Sequence, residues 1–359
     1  MENSICSDMQ VVLNKLGIKG QCVAGERHRH LAHFDIRLDT NKSAIRNLSN
    51  ACGEIALGIR SKTIPFLKVI PEEGIVRLQV AMTEAAPISH KELIFNKSVP
   101  LSHTFPLLLG EDENGKLLWM DMAKNPHLLI AGSTGSGKST LLHVLIGNAV
   151  YIHCLRHRNI KLTLIDPKRI EFTKYACDLF DEIITVRNTY EETMFEVDSL
   201  IELMDSRYVE MQKSGMRSVE EDPKKFVLNM MIIDEVADLF LEDNSECLRK
   251  KIIKLAQKGR AAGIYLVLAT QRPSVDVING TIKANFPGRI ACKTASKVDS
   301  KVVLDEIGAE HLLGRGDAIL KNMEFDRVRF QVAYTNFEEI HKFAYELAQE
   351  YIFKGTKNV

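Results

Sequence analysis

The sequence of 359 residues has no long apolar run, and this absence excludes one broad class of protein. No stretch approaches the roughly 18 to 20 consecutive apolar residues that a membrane-spanning helix needs. An integral membrane protein is therefore not expected. The first residues, MENSICSDMQ, also lack the basic and then apolar layout of a secretion signal. Both observations predict a cytoplasmic protein.

The sequence also lacks any Cys-x-x-Cys pair. The seven cysteines are scattered along the chain as Cys6, Cys22, Cys52, Cys154, Cys177, Cys247 and Cys292. An odd number of cysteines without metal-type spacing predicts reduced thiols in a reducing compartment.

The sequence also has no net charge, because its 47 basic side chains are balanced by 47 acidic ones. Proteins that coat DNA are often basic overall, so this balance argues against a simple coating role. It leaves open a ring whose basic residues line only a channel. With 45% hydrophobic and 26% charged residues, the composition is that of a globular protein. The length predicts more than one domain.

Two regions of the chain differ in their pattern. In the first, residues His33 to Asp39 and Gly74 to Met82 alternate like half-buried strands, and Asn41 to Ile59 has helical spacing. We predict a small α+β domain over residues 1–95. The remainder, residues 96–359, is predicted to form a second domain.

The second region alternates apolar strands with amphipathic helices. The predicted strands are His127 to Gly132, Lys161 to Asp166, Glu182 to Val186, Leu228 to Asp234, Ile264 to Thr270 and Phe286 to Cys292. The predicted helices include Ser139 to Tyr151, Thr189 to Gln212 and Ser245 to Ala262. Near-continuous apolar strands are typical of a parallel sheet that is buried on both faces. The alternation predicts a doubly wound α/β domain.

A phosphate-binding loop follows the first of these strands. The segment fits the pattern GxxxxGK[ST], and a helical run follows it. Its backbone N–H groups and the helix N-terminus favour phosphate. Lys138 can reach the β- and γ-phosphates of ATP, and the Ser139 hydroxyl can bind Mg²⁺. The predicted nucleotide-binding residues are Gly132, Ser133, Thr134, Gly135, Ser136, Gly137, Lys138, Ser139 and Thr140.

Two acidic residues end another apolar strand, as the second half of an ATPase site requires. Asp234 is predicted to hold Mg²⁺, and Glu235 to polarise the attacking water. Two adjacent acids favour hydrolysis over nucleotide binding alone. Gln271 ends the strand Ile264 to Thr270. Its amide could sense the γ-phosphate or orient water, and the alternative is an ordinary surface turn residue.

Five segments together resemble the motor domain of the FtsK/SpoIIIE DNA translocases. They are HLLIAGSTGSGKS, LIDPKRIEF, MMIIDEVADLF, the long block from KGRAAGIYLVLATQRP to SKVVLD, and GAEHLLGRGDAIL. The likeness runs from about Pro106 to Tyr334 with the same order and spacing. The N-terminal part is similar to the small subdomain beside the motor in this family.

The resemblance implies a RecA-like fold and a ring of six subunits around duplex DNA, with ATP between subunits. Arg260 then matches the arginine that contacts a neighbour's γ-phosphate, with Arg289 and Arg315 as rivals. Alternatively, Arg260 is a cation that compensates a helix C-terminus. Lys168 is expected near the subunit interface or the phosphates.

In this family the DNA contacts come from loops that face the pore. The candidates here are Lys213, Arg217, Arg272 and Lys283. Taken alone, each is more typical of a solvated surface charge than of a DNA ligand. A ring that moves over any sequence is expected to contact phosphates and not base edges.

Two departures from the family bear on the biological role. The chain has no membrane anchor, and it ends at Val359 without the family's C-terminal winged-helix module. Sequence-directed orientation is therefore not expected. The functions left open are DNA segregation, conjugative transfer and the handling of mobile-element DNA. A protein-handling or assembly ATPase of the same superfamily is the alternative.

His28, His30 and His33 lie close together in the segment ERHRHLAHFD. Histidine is a common metal ligand, but this spacing has no established ligand geometry. The pattern favours a polar, partly basic loop that leads into a strand.

Overall fold

The computed structural model describes most of the chain. The described residues are 2–28, 31–39, 43–61, 63–81, 87–96, 99–100, 102–156, 159–222, 224–242 and 245–355. His30 lies outside them. Among the described helices, none is both long enough and apolar enough to cross a lipid bilayer.

The N-terminal region forms an antiparallel sheet of four strands in the order β1-β2-β4-β3. The strands are β1 (Gly20–Arg27), β2 (Leu31–Leu38), β3 (Phe66–Ile70) and β4 (Ile75–Ala81). Three helices accompany them: α1 (Glu2–Lys15), α2 (Ala44–Asn50) and α3 (Cys52–Gly58). Leu13 from α1, Leu48 from α2 and Leu78 from β4 are fully buried in one apolar cluster. Both predicted strands are present, and the predicted helical segment forms two helices, α2 and α3. Asn41 and Met82, at the ends of two of these predictions, lie outside the described residues.

One prediction for this region is wrong. Cys6 of α1 and Cys22 of β1 form a disulfide, with their Cα atoms 5.7 Å apart. The prediction that the thiols are all reduced therefore fails at this pair. Local spacing gave no signal, because the pairing depends on α1 packing against β1. The described cysteines that stay free are Cys52, Cys177, Cys247 and Cys292.

The larger sheet has ten strands in the order β6-β5-β14-β13-β12-β7-β11-β10-β8-β9. They are β5 (Pro106–Asp112), β6 (Leu117–Asp121), β7 (Leu128–Ala131), β8 (Ile160–Ile165), β9 (Ile184–Arg187), β10 (Leu228–Ile233), β11 (Ile264–Thr270), β12 (Gly288–Cys292), β13 (Asp317–Lys321) and β14 (Val328–Val332). The run from β12 through β9 is parallel, and the other four strands extend it in antiparallel pairs. The α/β fold class is confirmed.

Helices cover both faces of this sheet. They are α4 (His90–Asn96), α5 (Lys138–Arg156), α6 (Tyr190–Ser214), α7 (Val236–Phe240), α8 (Ser245–Lys258), α9 (Gly280–Asn285), α10 (Lys297–Leu304) and α11 (Phe337–Gly355). Every residue of β7, β10 and β11 is buried. Alternate residues of β7 belong to two different apolar clusters, with Leu128 in one and Leu129 in the other. This burial on both faces explains the continuous apolar runs.

The predicted boundary between residues 95 and 96 lies between the two sheets. α4, which spans it, packs against β5, and its Lys91 forms an ion pair with Glu346 of α11. The division into domains 1–95 and 96–359 stays a prediction.

The strand register places the chemistry at one edge of the large sheet. Ile233 at the end of β10 pairs with Ile165 of β8, and Ala131 at the end of β7 pairs with Thr270 of β11. The residues that follow these parallel strands therefore meet at their carboxyl edge. In open α/β sheets this edge is where ligands bind.

Candidate active site

The phosphate-binding loop connects β7 to α5 and closes tightly on neighbouring backbone. Gly135 and Gly137 have φ angles of 76° and 101°, which side chains rarely tolerate. A Cβ on Gly137 would overlap the backbone of Gly316. At this position only glycine fits both the backbone angle and the space.

A second loop, just before β13, supports the phosphate loop from the same chain. The Arg315 N–H donates to the Gly135 carbonyl at 3.1 Å, and the Gly316 N–H donates to the Ser136 carbonyl at 2.8 Å. Arg315 lines the cleft over the phosphate loop. Arg315, predicted as a rival for the arginine that a neighbour supplies, therefore lies beside the phosphate loop of its own chain.

Lys138 and Asp234 form a buried ion pair across the site. Lys138 begins α5, and Asp234 follows β10, so strand order alone brings them together. Burial raises the pKa of the Asp234 carboxyl above its ordinary value, and the Lys138 ammonium partly offsets the rise. These two predicted residues thus face one another, as a shared phosphate and metal site requires.

Ser139 contacts a residue to which the sequence analysis gave no role. Its hydroxyl donates to Glu171 Oε2 at 2.7 Å. His143, one turn further along α5, lies 2.9 Å from the other Glu171 oxygen through Nε2 and 2.7 Å from the Tyr175 hydroxyl through Nδ1. The hydrogen bond with His143 holds the pKa of the Glu171 carboxyl below its ordinary value.

The loop that carries Glu171 is fixed by Asp166, at the end of β8. Asp166 Oδ2 accepts the N–H groups of Glu171 at 2.8 Å and Phe172 at 2.9 Å. The segment LIDPKRIEF was singled out in the sequence, but only Lys168 received a role there. The missed signal was a second carboxylate, placed by a turn that an aspartate caps.

Glu235 occupies a constrained position beside Asp234. Its φ of 64° is left-handed, which is uncommon for a residue with a side chain, and only 1% of its surface is exposed. The Thr270 hydroxyl donates to its Oε1 at 2.6 Å, and the Gln271 N–H donates to its Oε2 at 3.0 Å. Lys168 Nζ lies 3.5 Å from Oε2. The fold thus fixes both oxygens of this carboxylate.

Gln271 lies at the cleft and not on a remote turn. Its side-chain oxygen accepts the Thr134 hydroxyl proton at 3.0 Å. The two arms of the site, the phosphate loop and the end of β11, are thereby linked directly.

The predicted arginines fall at different places. Arg260 is exposed and lies just before β11, at the amino edge of the sheet and so at the opposite end of that strand from Gln271. A seven-residue strand spans roughly 20 Å, so Arg260 does not reach the phosphate loop of its own chain. Arg289 is already ion-paired with Asp305.

The four DNA-contact candidates do not form one surface. Arg272 is exposed at the carboxyl edge, next to Gln271. Lys213 and Arg217 are exposed near the amino edge, where the Val219 N–H donates to the Ala261 carbonyl. Lys283 is ion-paired with Asp305 at 2.6 Å.

The site opens into a cleft of about 860 Å³. Besides the phosphate loop, Pro87, Gln331 and Tyr334 line it. Tyr334 is 42% exposed. The cleft thus has the phosphate loop at one side and the ring of Tyr334 at another. Sequence reasoning missed this wall, because its residues lie about 50 before and 200 after the phosphate loop.

Comparison with known proteins shows the relatives of this chain. The sequence model of the FtsK/SpoIIIE family matches residues 97–229 and 224–275. The DNA translocase FtsK of Chlamydia muridarum (strain MoPn / Nigg) is 34% identical over 343 residues, which cover 89% of this chain and 42% of the relative. The FtsK protein of Streptococcus pneumoniae (strain ATCC BAA-255 / R6) is 34% identical over 315 residues, covering 83% and 40%. The chain thus spans about two fifths of these relatives.

Two solved structures share the fold. The pCW3 conjugation coupling protein TcpA, in its monomer form with ATPγS, superposes with a TM-score of 0.64 at 20% identity, covering 96% of this chain and 98% of TcpA. ATPases 2 and 3 of EssC from Geobacillus thermodenitrificans superpose with a TM-score of 0.61 at 13% identity, covering 76% and 53%. At these identities the likeness extends to the fold alone.

Proposed function

This chain belongs to the FtsK/SpoIIIE family, and we propose that it is a Mg²⁺-dependent ATPase that translocates double-stranded DNA as a ring of six subunits in the cytoplasm. One observation carries the ATPase part of the proposal. Lys138, Ser139 and Gln271 line one cleft, and directly behind it Asp234 pairs with Lys138 while Glu235 accepts the Gln271 N–H. A structural protein has no need of this convergence of catalytic groups.

The residues of the phosphate loop would hold the triphosphate. The backbone N–H groups around Gly135 and Gly137, with the N-terminus of α5, favour the phosphate charge. ATP binding would replace the Lys138–Asp234 ion pair, because the Lys138 ammonium would turn to the β- and γ-phosphates. Tyr334 offers a face on which the adenine ring can stack.

The oxygen atoms beside this loop fit Mg²⁺, which prefers oxygen ligands. Ser139 and Asp234 would hold the ion, and Glu171, hydrogen-bonded to Ser139, would orient that hydroxyl. When bound, Mg²⁺ neutralises charge that develops on the phosphates. Glu235 would accept a proton from the attacking water, and Thr270 and Gln271 hold the carboxylate in place for that step.

The position of Arg260 supports an assembly in which one subunit completes the site of the next. Arg260 is exposed at the sheet edge remote from its own phosphate loop. In a ring with ATP between subunits, this edge of one subunit would face the cleft of its neighbour. The guanidinium of Arg260, placed beside the γ-phosphate of the neighbouring site, would then stabilise the negative charge of the transition state.

Contact with DNA would be made through phosphates, so the motor would read little sequence. Arg272 is the candidate best coupled to the site, because it follows Gln271 and its N–H donates to the Thr270 hydroxyl at 3.0 Å. Movement of this loop on DNA would thus be transmitted directly to the Glu235 carboxylate.

The first test is steady-state ATP hydrolysis with and without long linear duplex DNA, at low and at moderate salt. We expect stimulation that grows with DNA length and fades with salt. Single-stranded DNA of equal mass is the control for nonspecific charge effects, and Lys138→Ala is the control for contaminating ATPases. Displacement of a third strand annealed to the duplex reports movement itself.

Intact basal hydrolysis with no response to duplex DNA would contradict the proposal. That outcome would favour the alternative, a protein-handling or assembly ATPase of the same superfamily.

A further inference from the structure

The β1–β2 hairpin gathers three side chains of types that bind metals, and none of them lines the nucleotide cleft. Glu26 and His33 are cross-strand partners, and His28 directly follows β1. Glu26 Oε2 lies 3.3 Å from His28 Nε2 and 3.7 Å from His33 Nε2. The three residues each offer a ligand atom, and these atoms all lie within 4.8 Å of one another.

These separations suit one small ion with tetrahedral coordination. Zinc binds imidazole nitrogen and carboxylate oxygen at about 2.0 to 2.2 Å, which places neighbouring ligands of a tetrahedron roughly 3.3 to 3.6 Å apart. The Glu26–His28 distance of 3.3 Å falls in this range, and the Glu26–His33 distance of 3.7 Å lies just outside it. The Glu26–His33 pair needs a side-chain movement of only a few tenths of an ångström to enter the range, and the two histidine nitrogens lie within 4.8 Å of one another.

Hydrogen bonding satisfies the cluster only in part. Within the described part of the chain, His28 Nε2 is buried and makes no hydrogen bond, although Glu26 Oε2 lies 3.3 Å away. His33 approaches Glu26 through Nε2, and its other ring nitrogen, Nδ1, is buried without a partner. His33 is only 2% exposed, and its ring stacks on that of His28 with centroids 5.5 Å apart. Buried polar atoms are normally paired. The neighbouring Asp35 is no substitute partner, because Arg77 binds both its oxygens.

We propose that Glu26, His28 and His33 bind a divalent transition-metal ion, with zinc the best match. Two imidazole nitrogens and one carboxylate oxygen suit zinc and related ions, whereas Mg²⁺ and Ca²⁺ prefer oxygen ligands throughout. Three protein ligands leave a fourth position for water. The sequence favoured a polar loop over a metal site, because it did not show that His33 is buried inside β2 and pairs with Glu26.

The location indicates what the ion does. The turn between β5 and β6 lies against this hairpin, since Gly115 approaches the His28 ring. Nearby, Lys68 binds Glu113 at 2.8 Å, and Arg77 contacts Asn114 at 3.3 Å. An ion at the hairpin would stiffen the small sheet where it meets the large one. This role is independent of the ATPase chemistry.

Cobalt(II) is the probe that tests the site, because its visible absorption distinguishes tetrahedral from octahedral coordination. Untagged full-length protein without nucleotide is titrated with Co²⁺, and the bound ion is then displaced with Zn²⁺. We expect one equivalent with strong tetrahedral absorption. Glu26→Gln and His28→Gln should each weaken binding about tenfold or more. His311→Gln, which changes another half-buried histidine that lies beside a glutamate, Glu310, is the matched control.

A thermal melt provides a second readout, which does not depend on absorption. Zn²⁺ should raise the melting temperature of the wild type and of the His311→Gln variant, but not that of Glu26→Gln. The variants avoid His33, because its burial makes loss of folding a competing explanation. Absence of tetrahedral Co²⁺ binding in the wild type overturns the proposal, as does binding that both Glu26→Gln and His28→Gln leave unchanged.

Discussion

Replacing Thr270 with valine tests how the Glu235 carboxylate is held. The change keeps the shape of the side chain and removes one hydroxyl. That hydroxyl donates to Glu235 Oε1 at 2.6 Å and accepts the Arg272 N–H at 3.0 Å. Thr270 is fully buried and Glu235 is 1% exposed, so water does not readily replace the lost donor.

The expected magnitude follows from this burial. A hydrogen bond to a charged group contributes about 1.5 to 3 kcal/mol, and a buried acceptor left without its donor costs a similar amount. We expect the unfolding free energy to fall by about 2 to 3 kcal/mol. If the same contact orients Glu235 toward water in the transition state, kcat should fall roughly 10- to 100-fold with little change in KM.

The assay combines urea unfolding with DNA-stimulated ATP hydrolysis on the same preparations. Thr270→Ser keeps the hydroxyl and should retain most of the wild-type kcat. In a Glu235→Gln background, Thr270→Val should add little further loss, because the two residues act through one contact. A folded Thr270→Val variant with the wild-type kcat would refute the idea that Thr270 positions the carboxylate.

Three further outcomes are expected. Glu235→Gln should keep nucleotide binding but lose turnover about 10²- to 10⁴-fold, whereas Lys138→Ala should weaken both; equal loss of binding and turnover in Glu235→Gln would contradict this division. Mixing the nearly inactive Arg260→Ala and Lys138→Ala proteins should restore hydrolysis, because Lys138→Ala subunits would supply arginine to intact sites; a mixture no more active than its parts would argue against Arg260. Hydrogen bonds from Asn188 and Thr189 lower the pKa of Glu192, so its stabilising contribution is present above its unfolded-state pKa and is lost as pH falls through the lower folded-state value. Glu192 caps the first turn of α6, so Glu192→Gln should reduce the slope of the unfolding free energy against pH in that acidic range. An unchanged slope would count against this capping role.

Much of the fold was predictable because its signals are local. The parallel strands β7, β10 and β11 are buried on both faces, and they stand out in the sequence as apolar runs. The helix α6 begins at a capping box formed by Thr189 and Glu192 and ends before Gly215, which has a left-handed conformation. The antiparallel strands β13 and β14 are short and lie far from β5 in sequence, so their pairing left no comparable signal.

The candidate site divides in the same way. The phosphate loop and the pair Asp234–Glu235 each occupy one continuous segment. Their residue types and local spacing were therefore enough to predict a role for each. Glu171, by contrast, contacts Ser139 across 32 residues, and it takes the turn capped by Asp166 to bring it there. No periodicity encodes that contact.

The sequence by itself thus determined the α/β class, and it predicted the phosphate loop and the acids proposed to serve it, because glycine spacing and hydrophobic period act within a few residues. Only the tertiary structure decided which side chains meet. It placed Arg260 at the edge opposite its own cleft, Arg315 beside its own phosphate loop, and Glu26 within reach of His33. These contacts depend on the order and register of the strands, which bring together residues that are distant in sequence. The local sequence pattern specifies neither.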